Sequence, residues 1–352
     1  MILFFLFLLV VCLYRIKISR HGYFYDFLER EQTNSIKGIF IFFVFLRHIL
    51  QYIRRSGYDF SSHGDAIVTT LDSKIGQLIV VMFLFYSGYG VMESIRKKGD
   101  NYIRNIPRHR ILPIIINFNI AILCFLLIDF YFGISVPMKK IILSTIGWDS
   151  VGNSNWYIFD ILLCYLVTFV AFCLPKHRMA FVGVGILISI LFLSYCKSPW
   201  WYNTLLAYFA GIVFSECREK IVIFWERHYW KSLMALCVFF IGIYVVAIMF
   251  LSSTNIISGL LYNIASIVFA LLIVQVTMKV NISNKYLVWF GMNLFPLYIY
   301  QRIPMIVLYE IDNGYFVQNN VIAYIVICFA IMCCIAFLYK YWQFSFCSPK
   351  KY

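Results

Sequence analysis

The sequence has little charge: only 13% of its 352 residues are charged, whereas 62% are hydrophobic. Soluble globular domains carry roughly 25% charged residues, because a surface that faces water needs them. Proline and glycine are also scarce, at 8 and 18 residues, and no Pro/Gly/Ser-rich stretch divides the chain. These absences exclude a soluble protein and a string of soluble domains joined by linkers.

The 11 cysteines lack the spacings that would give them a chemical role. No Cys-x-x-Cys pair occurs, and most cysteines lie within or at the ends of apolar runs. Buried free cysteines behave as small hydrophobic side chains. We therefore predict neither a disulfide framework nor a metal site.

Apolar runs recur from one end of the chain to the other. A helix that crosses the hydrocarbon needs about 20 mostly apolar residues. The runs predict an all-α, polytopic integral membrane helix bundle with about 10–11 transmembrane helices. The predicted spans lie near residues 1–14, 38–53, 75–92, 110–133, 156–174, 179–196, 200–215, 232–251, 256–278, 287–309 and 320–340. The first run has no small-residue cleavage site, which favours an uncleaved signal anchor over a removed signal peptide.

Lysine and arginine alternate across the predicted membrane. Most of the 30 basic residues fall in the segments 15–37, 93–110, 174–178, 216–231, 279–286 and 340–352. Basic residues concentrate on the cytoplasmic side of multi-pass proteins. We therefore predict a plasma (inner) membrane protein with a cytoplasmic C-terminus. The net charge of +14 reflects this orientation, and we expect membrane lipid as a partner and no nucleic acid.

A few polar residues lie inside the predicted spans. Of the six histidines, His48 lies well within a predicted span. An ionisable residue at that depth is a functional candidate, because charge is costly in hydrocarbon. The alternative is a histidine that only hydrogen-bonds a neighbouring helix. By position along their spans, Arg47, Asp160, Gln301 and Arg302 belong to the same outer half, which suggests one hydrated cavity.

The predicted cytoplasmic loop 93–110 is densely basic. It contains Arg104, Arg108 and Arg110 within seven residues. Arginine binds phosphate groups through charge and paired hydrogen bonds. The segment therefore predicts a phosphate site, although the orientation signal alone would also place basic residues here.

Three motifs resemble the membrane acyltransferase-3 family. Lys37, ten further residues and His48 resemble that family's first conserved span. The stretch FLFYSGYGV resembles its second-span signature, with Ser87 followed by glycine and an aromatic residue. NWYIFDILLCY resembles a later span that opens with Trp156 and Tyr157.

The resemblance covers residue 35 to about residue 340 and ten predicted spans in family order. It implies three regions: an N-terminal extra span and cytoplasmic linker (1–34), the acyltransferase-3-like membrane domain (35–340) and a cytoplasmic tail (341–352). The chain departs from the family pattern at two positions, where Val81 stands in place of an acidic residue and Gln301 in place of a late-span histidine.

The resemblance implies transfer of an acetyl or similar acyl group from cytoplasmic acetyl-CoA to an extracytoplasmic or lipid-linked polysaccharide. His48 would then act as a general base or as a covalent acyl carrier. The CoA phosphates would be held by Lys37 and by the basic loop residues Arg104, Arg108 and Arg110. The expected co-substrate is acetyl-CoA, with no metal.

The remaining candidates would bind the acceptor or support the site. Ser87 is either a nucleophile or a helix-packing residue, and packing is favoured. Trp156 and Tyr157 either stack on a sugar ring or belong to the interfacial aromatic belt. Arg47 would either pair with a neighbouring span or orient the substrate, and Asp160, Gln301 and Arg302 would bind the substrate or support the site. The alternative functions are a transporter or flippase, or a polymerase, for lipid-linked glycans.

Overall fold

The computed structural model describes residues 1–250 and 256–347. Within them, eight helical segments are long and apolar enough to cross a membrane. The prediction of an all-α, multi-pass membrane protein is therefore confirmed. The helices are α1 (Ile2–Leu13), α2 (Arg30–Arg55), α3 (His63–Ile75), α4 (Leu78–Lys98), α5 (Asp100–Ile106), α6 (Leu112–Tyr131), α7 (Met138–Ser144), α8 (Trp156–Cys173), α9 (Arg178–Cys196), α10 (Leu206–Phe250), α11 (Ile256–Thr277), α12 (Lys285–Met292), α13 (Leu294–Tyr300), α14 (Arg302–Glu310), α15 (Tyr315–Asn319) and α16 (Val321–Cys347).

The number of long helices differs from the predicted number of spans for three reasons. Predicted spans 200–215 and 232–251 are joined in the 45-residue helix α10, which is interrupted by a non-helical backbone at His228; residue 251 lies outside the described part of the chain. Predicted span 287–309 is divided into α12, α13 and α14. Helix α1 has only 12 residues, which is about 18 Å of helix and shorter than the hydrocarbon thickness.

Proline explains the second break in the divided span. Pro304 has no backbone N–H, so the carbonyl of Tyr300, four residues earlier, loses its helical donor. The break falls next to that carbonyl, at Gln301, between α13 and α14. Broken helices are tolerated at membrane depth where they line a polar cavity. The break at Gln301 is therefore a candidate position for a functional site.

The prediction that residues 93–110 form a loop is wrong. Helix α4 continues to Lys98, Gly99 turns the chain with a φ of +58°, and α5 follows at once. A π-helical turn, Pro107–Ile111, then joins α5 to α6. Such π turns occur mostly as single insertions and often at functional sites. The basic residues are therefore held on helical backbone.

Other segments outside the predicted spans also contain helices. Segment 54–74 contains all of α3 except its last residue, and segment 134–155 contains α7. Helix α16 runs to Cys347, so the predicted tail 341–352 is helical over its first seven residues, and residues 348–352 lie outside the described residues. Two short strands, β1 (Lys17–Ile18) and β2 (Val280–Asn281), pair antiparallel on the basic side.

Glycines allow the core helices to approach closely. A side-chain carbon added to Gly88 would collide with the carbonyl oxygen of Tyr208, and one added to Gly211 would collide with that of Phe85. Helices α4 and α10 therefore cross at backbone contact, as small residues permit in membranes. Helix α2 lies at the centre of the bundle and contacts α3, α4, α12, α13, α14, α15 and α16.

Candidate active site

A polar cavity of about 380 Å³ lies against the middle of the bundle. Its polar and aromatic lining residues are Arg47, His48, Gln51, Gln77, Ser150, Asn153, Ser154, Asn155, Trp156, Trp200, Tyr298 and Arg302. Gln51 and Trp200 are exposed at the surface. Gln51 is only four residues from the end of α2 at Arg55, so the cavity opens near that end, opposite the end of α2 that carries Lys37.

His48 forms part of the cavity wall and is only 8% exposed. It is seven residues from the end of α2 at Arg55, about 10 Å along the helix. Its Nε2 lies 3.4 Å from the hydroxyl oxygen of Ser154. Its Nδ1 has no hydrogen-bond partner of good geometry within the described residues, and the side chain of Gln301 lies within reach of the ring.

Ser154 is held by a tightly bonded loop before α8. The Ser150 hydroxyl donates to the carbonyl of Asn153 at 2.6 Å, and the Asn155 amide donates to the carbonyl of Gly147 at 3.0 Å. Gly152 has a φ of +95°, which a residue with a side chain would strain to adopt. Sequence reasoning missed Ser154, although this run of small and amide residues directly before the Trp-Tyr motif marks an ordered polar turn.

Gln301 and Arg302 reach the site from the break between α13 and α14. Gln301 is fully buried; its Nε2 donates to the carbonyl of Tyr298 at 2.9 Å, whereas its Oε1 has no hydrogen-bond partner in the described chain. Arg302 donates to the Tyr52 hydroxyl at 3.2 Å. Arg302 forms no ion pair among the described residues, so it brings uncompensated positive charge close to His48.

Arg47 lines the same cavity but is partly committed to structure. Its guanidinium lies 3.5 Å from the Asp72 carboxylate and donates to the carbonyls of Asp72 and Gly76. These bonds tie α2 to the junction between α3 and α4. Arg47 therefore shapes one wall of the cavity.

A column of aromatic hydroxyl residues continues from His48 toward the basic side. Tyr298 has its ring centre 6.3 Å from that of His48, and Tyr157 packs 5.2 Å from Tyr298. The hydroxyls of Tyr157 and Tyr165 both face Ser87. Tyr157 is only 7% exposed, so it packs inside the bundle.

The two tryptophans and the aspartate occupy different places. Trp156 and Trp200 line the cavity, and Trp200 is a lining residue that the sequence did not indicate. Asp160 is fully buried, and neither carboxylate oxygen has a hydrogen-bond partner within the described residues. Asp160 lies beside the aromatic column, near Tyr298, and does not line the cavity.

A second polar site gathers positive charge at the basic end of the bundle. Lys37 is half-buried and close enough to Arg30 and Arg110 for like charges to repel. None of the three forms an ion pair in the part of the chain that the structure describes. Arg110 donates to the Tyr102 hydroxyl at 2.9 Å and faces Tyr165, at the foot of the aromatic column.

The other predicted phosphate ligands point elsewhere. Arg104 and Arg108 are exposed, and no hydrogen bond or ion pair is found for either within residues 1–250 and 256–347. The structure therefore brings Arg110 to Lys37 and leaves the other two arginines on the surface. Arg30, which the sequence did not single out, completes the group because α2 begins eight residues earlier than the predicted span.

Comparison with known proteins identifies the family of the chain. No curated protein and no solved structure matches the chain significantly. A family model described as an acyltransferase domain, that of the acyltransferase-3 family, matches residues 31–340. This range contains the cavity, the aromatic column and most of the basic group. The chain therefore belongs to the acyltransferase-3 family, and it is a multi-pass membrane acyltransferase.

Proposed function

We propose that the protein transfers an acetyl or similar acyl group from cytoplasmic acyl-CoA to a hydroxyl of an extracytoplasmic or lipid-linked polysaccharide. The observation that carries this proposal is the layout of α2. Lys37, with its unpaired basic neighbours, and His48, in the wall of the cavity, lie on one helix eleven residues apart, about 16 Å along its axis.

The basic group suits the phosphates of CoA. Lys37, Arg30 and Arg110 lie close together and form no ion pair among the described residues. Their mutual repulsion costs free energy, and a polyanionic ligand relieves that cost. Charged hydrogen bonds from lysine and arginine to phosphate are among the stronger contacts that proteins make. In this proposal the basic segments face the cytoplasm, where acetyl-CoA is supplied, in agreement with the concentration of basic residues on one side.

The aromatic column suits the neutral arm of the donor. Tyr165 and Ser87 lie between Arg110 and Tyr157, and Tyr157 packs on Tyr298 next to His48. Their hydroxyls offer hydrogen bonds to amides along a line from the phosphates toward the cavity. The Tyr157 and Tyr298 rings fill that line, so we expect them to move aside when the donor binds.

The outer cavity suits a sugar acceptor. Trp156 and Trp200 provide aromatic faces, and Asn153 and Gln77 provide amide groups that bond sugar hydroxyls. The cavity opens on the side where an extracytoplasmic glycan would arrive. Trp156 thus acts as a stacking residue in this proposal.

His48 acts as the general base. The acceptor hydroxyl approaches Nε2 from the side now faced by Ser154, and its oxygen attacks the thioester carbonyl carbon while His48 takes the proton. The new C–O bond forms, the C–S bond breaks, and the imidazolium returns the proton to the leaving thiolate, giving an O-acyl sugar and free CoA. Proton transfer of this kind contributes about 10²–10⁴ in rate. Arg302 is placed to stabilise negative charge that develops beside the ring.

Binding of radiolabelled acetyl-CoA to the purified protein tests the donor assignment. Neutralising Lys37→Gln and Arg110→Gln together should weaken binding by about tenfold or more, because each charged hydrogen bond contributes about 1.5–3 kcal/mol. The exposed pair Arg104→Gln and Arg108→Gln removes the same charge and should change binding by less than about threefold. Equal losses in the two double variants would contradict the assignment.

Glycan acylation in membrane vesicles tests the reaction itself. His48→Gln should bind acetyl-CoA normally and form almost no acylated glycan. Movement of a labelled lipid-linked glycan across the vesicle membrane, with no acyl transfer and no acetyl-CoA binding, would replace the proposal by a flippase.

A further inference from the structure

An apolar groove of about 350 Å³ lies between α1 and the core helices. It has no residue in common with the polar cavity around His48. Three aromatic rings form its floor: Phe42 packs 4.6 Å from Phe290, and Phe290 stacks 5.8 Å from Phe329. The exposed α1 residues Phe7 and Val10 form its other wall.

Two positive charges stand at the basic end of this groove. The rings of Tyr14 and Tyr286, which both line it, lie 6.0 Å apart. The Arg15 guanidinium lies 5.3 Å from the Tyr14 ring centre, and the Lys285 ammonium lies 5.1 Å from that of Tyr286. Both cations are exposed, and neither forms an ion pair among the described residues.

The geometry of this end is held by specific bonds. The Asn284 side chain donates to the carbonyls of Val11 and Tyr14, each at 3.2 Å, and so joins the end of α1 to the start of α12. Arg15 itself has a φ of +60°, a backbone conformation that residues with side chains seldom adopt unless their surroundings impose it. The chain therefore fixes an arginine in a strained position at the mouth of an apolar groove.

We propose that this groove binds an anionic phospholipid of the leaflet on the basic side, with one acyl chain against Phe42, Phe290 and Phe329 and the phosphate between Arg15 and Lys285. The occupant is argued from charge complementarity. A zwitterionic lipid also carries a phosphate, but its own ammonium group would lie close to Arg15 and Lys285 and repel them, whereas an anionic headgroup brings negative charge alone. The proposal does not depend on the acyl transfer reaction.

Lipid retention measured by native mass spectrometry tests this site. The wild-type protein, exchanged into micelles containing equal amounts of phosphatidylglycerol and phosphatidylcholine, should retain phosphatidylglycerol selectively. In the double variant with Arg15→Gln and Lys285→Gln, that selectivity should fall on the order of tenfold. The matched control is Lys98→Gln with Lys220→Gln, two exposed cations on the same side without hydrogen bonds or ion pairs in the described residues, and it should keep the wild-type selectivity.

A second variant tests the groove independently of charge. Val10→Trp fills the space from an exposed position on α1 and should reduce retention of both lipids. Unchanged selectivity after loss of Arg15 and Lys285, or an equal loss in the control pair, would overturn the proposal. Full lipid retention by Val10→Trp, or a lipid-free dimer that buries this face, would overturn it as well.

Discussion

The Nε2 atom of His48 lies 3.4 Å from the hydroxyl oxygen of Ser154, across 106 positions of sequence. Ser154 lies in the loop before α8, and Nε2 is the nitrogen of His48 that faces this loop. In the proposed reaction, this protein hydroxyl occupies the place where an acceptor hydroxyl would lie for His48 to take its proton. The proposal therefore assigns Ser154 to the position of the acceptor hydroxyl.

Ser154→Ala should lower acyl transfer by about tenfold or less. A hydrogen bond that only orients the ring contributes about 0.5–1.5 kcal/mol, and the acceptor hydroxyl takes its place in the reaction. The measurement is glycan acylation by the variant, together with the intact mass of wild-type protein after acetyl-CoA is added without acceptor. A wild-type acetyl ester on Ser154, with near-complete loss in the variant, would instead make the serine a covalent carrier.

His48→Gln should reduce kcat by about 10²–10⁴, because the base that accepts the proton is lost. The KM for acetyl-CoA should be unchanged, since Lys37, which is proposed to hold its phosphates, is about 16 Å away along α2. Steady-state kinetics in nanodiscs measures both constants. His109→Gln, at an exposed histidine, is the matched control and should behave as wild type. If His48 had a purely structural role, His48→Gln would instead lower the stability of the protein, with no selective loss of kcat.

Gln301→Leu should lower kcat about tenfold or more with little change in KM. The variant removes the amide near the His48 ring and leaves the carbonyl of Tyr298 without its donor, and an unsatisfied buried polar group costs about 1–3 kcal/mol. Gln301→His, which restores a polar ring at this position, should recover part of the rate. Steady-state kinetics and thermal unfolding together separate a loss of activity from a loss of stability. Equal kcat values in the wild type, Gln301→Leu and Gln301→His would show that Gln301 is not part of the site.

Gly88→Ala should destabilise the protein by about 1–3 kcal/mol, the usual cost of an overpacked core. The added methyl group would meet the carbonyl oxygen of Tyr208, and backbone cannot move aside as a side chain does. Gly90→Ala, on the same helix with nothing within 4 Å of the added carbon, is the control and should be neutral or more stable. Thermal unfolding in one detergent compares the two variants, and equal midpoints would show that α4 and α10 separate easily.

The family and the main catalytic candidate were accessible from local sequence because they depend on residues close together in the chain. Ten residues between Lys37 and His48 fix their separation on one helix, whatever the rest of the fold. The sequence did not distinguish Arg108 from Arg110, although the two side chains have different surroundings in the structure. The π-helical turn Pro107–Ile111 determines which of the two arginines points inward, and no periodicity in the sequence predicts such a turn.

Apolar length by itself determined that this chain forms membrane helices, because hydrocarbon leaves the backbone few other ways to satisfy its hydrogen bonds. Tertiary packing alone decided that Ser154 meets His48, that Arg110 joins Lys37, and that Tyr157 is buried. Each of these contacts depends on how helices cross. The crossing of two helices depends on side-chain shape and on close glycine contacts between positions far apart in the sequence. A local sequence pattern does not show which of these positions will meet.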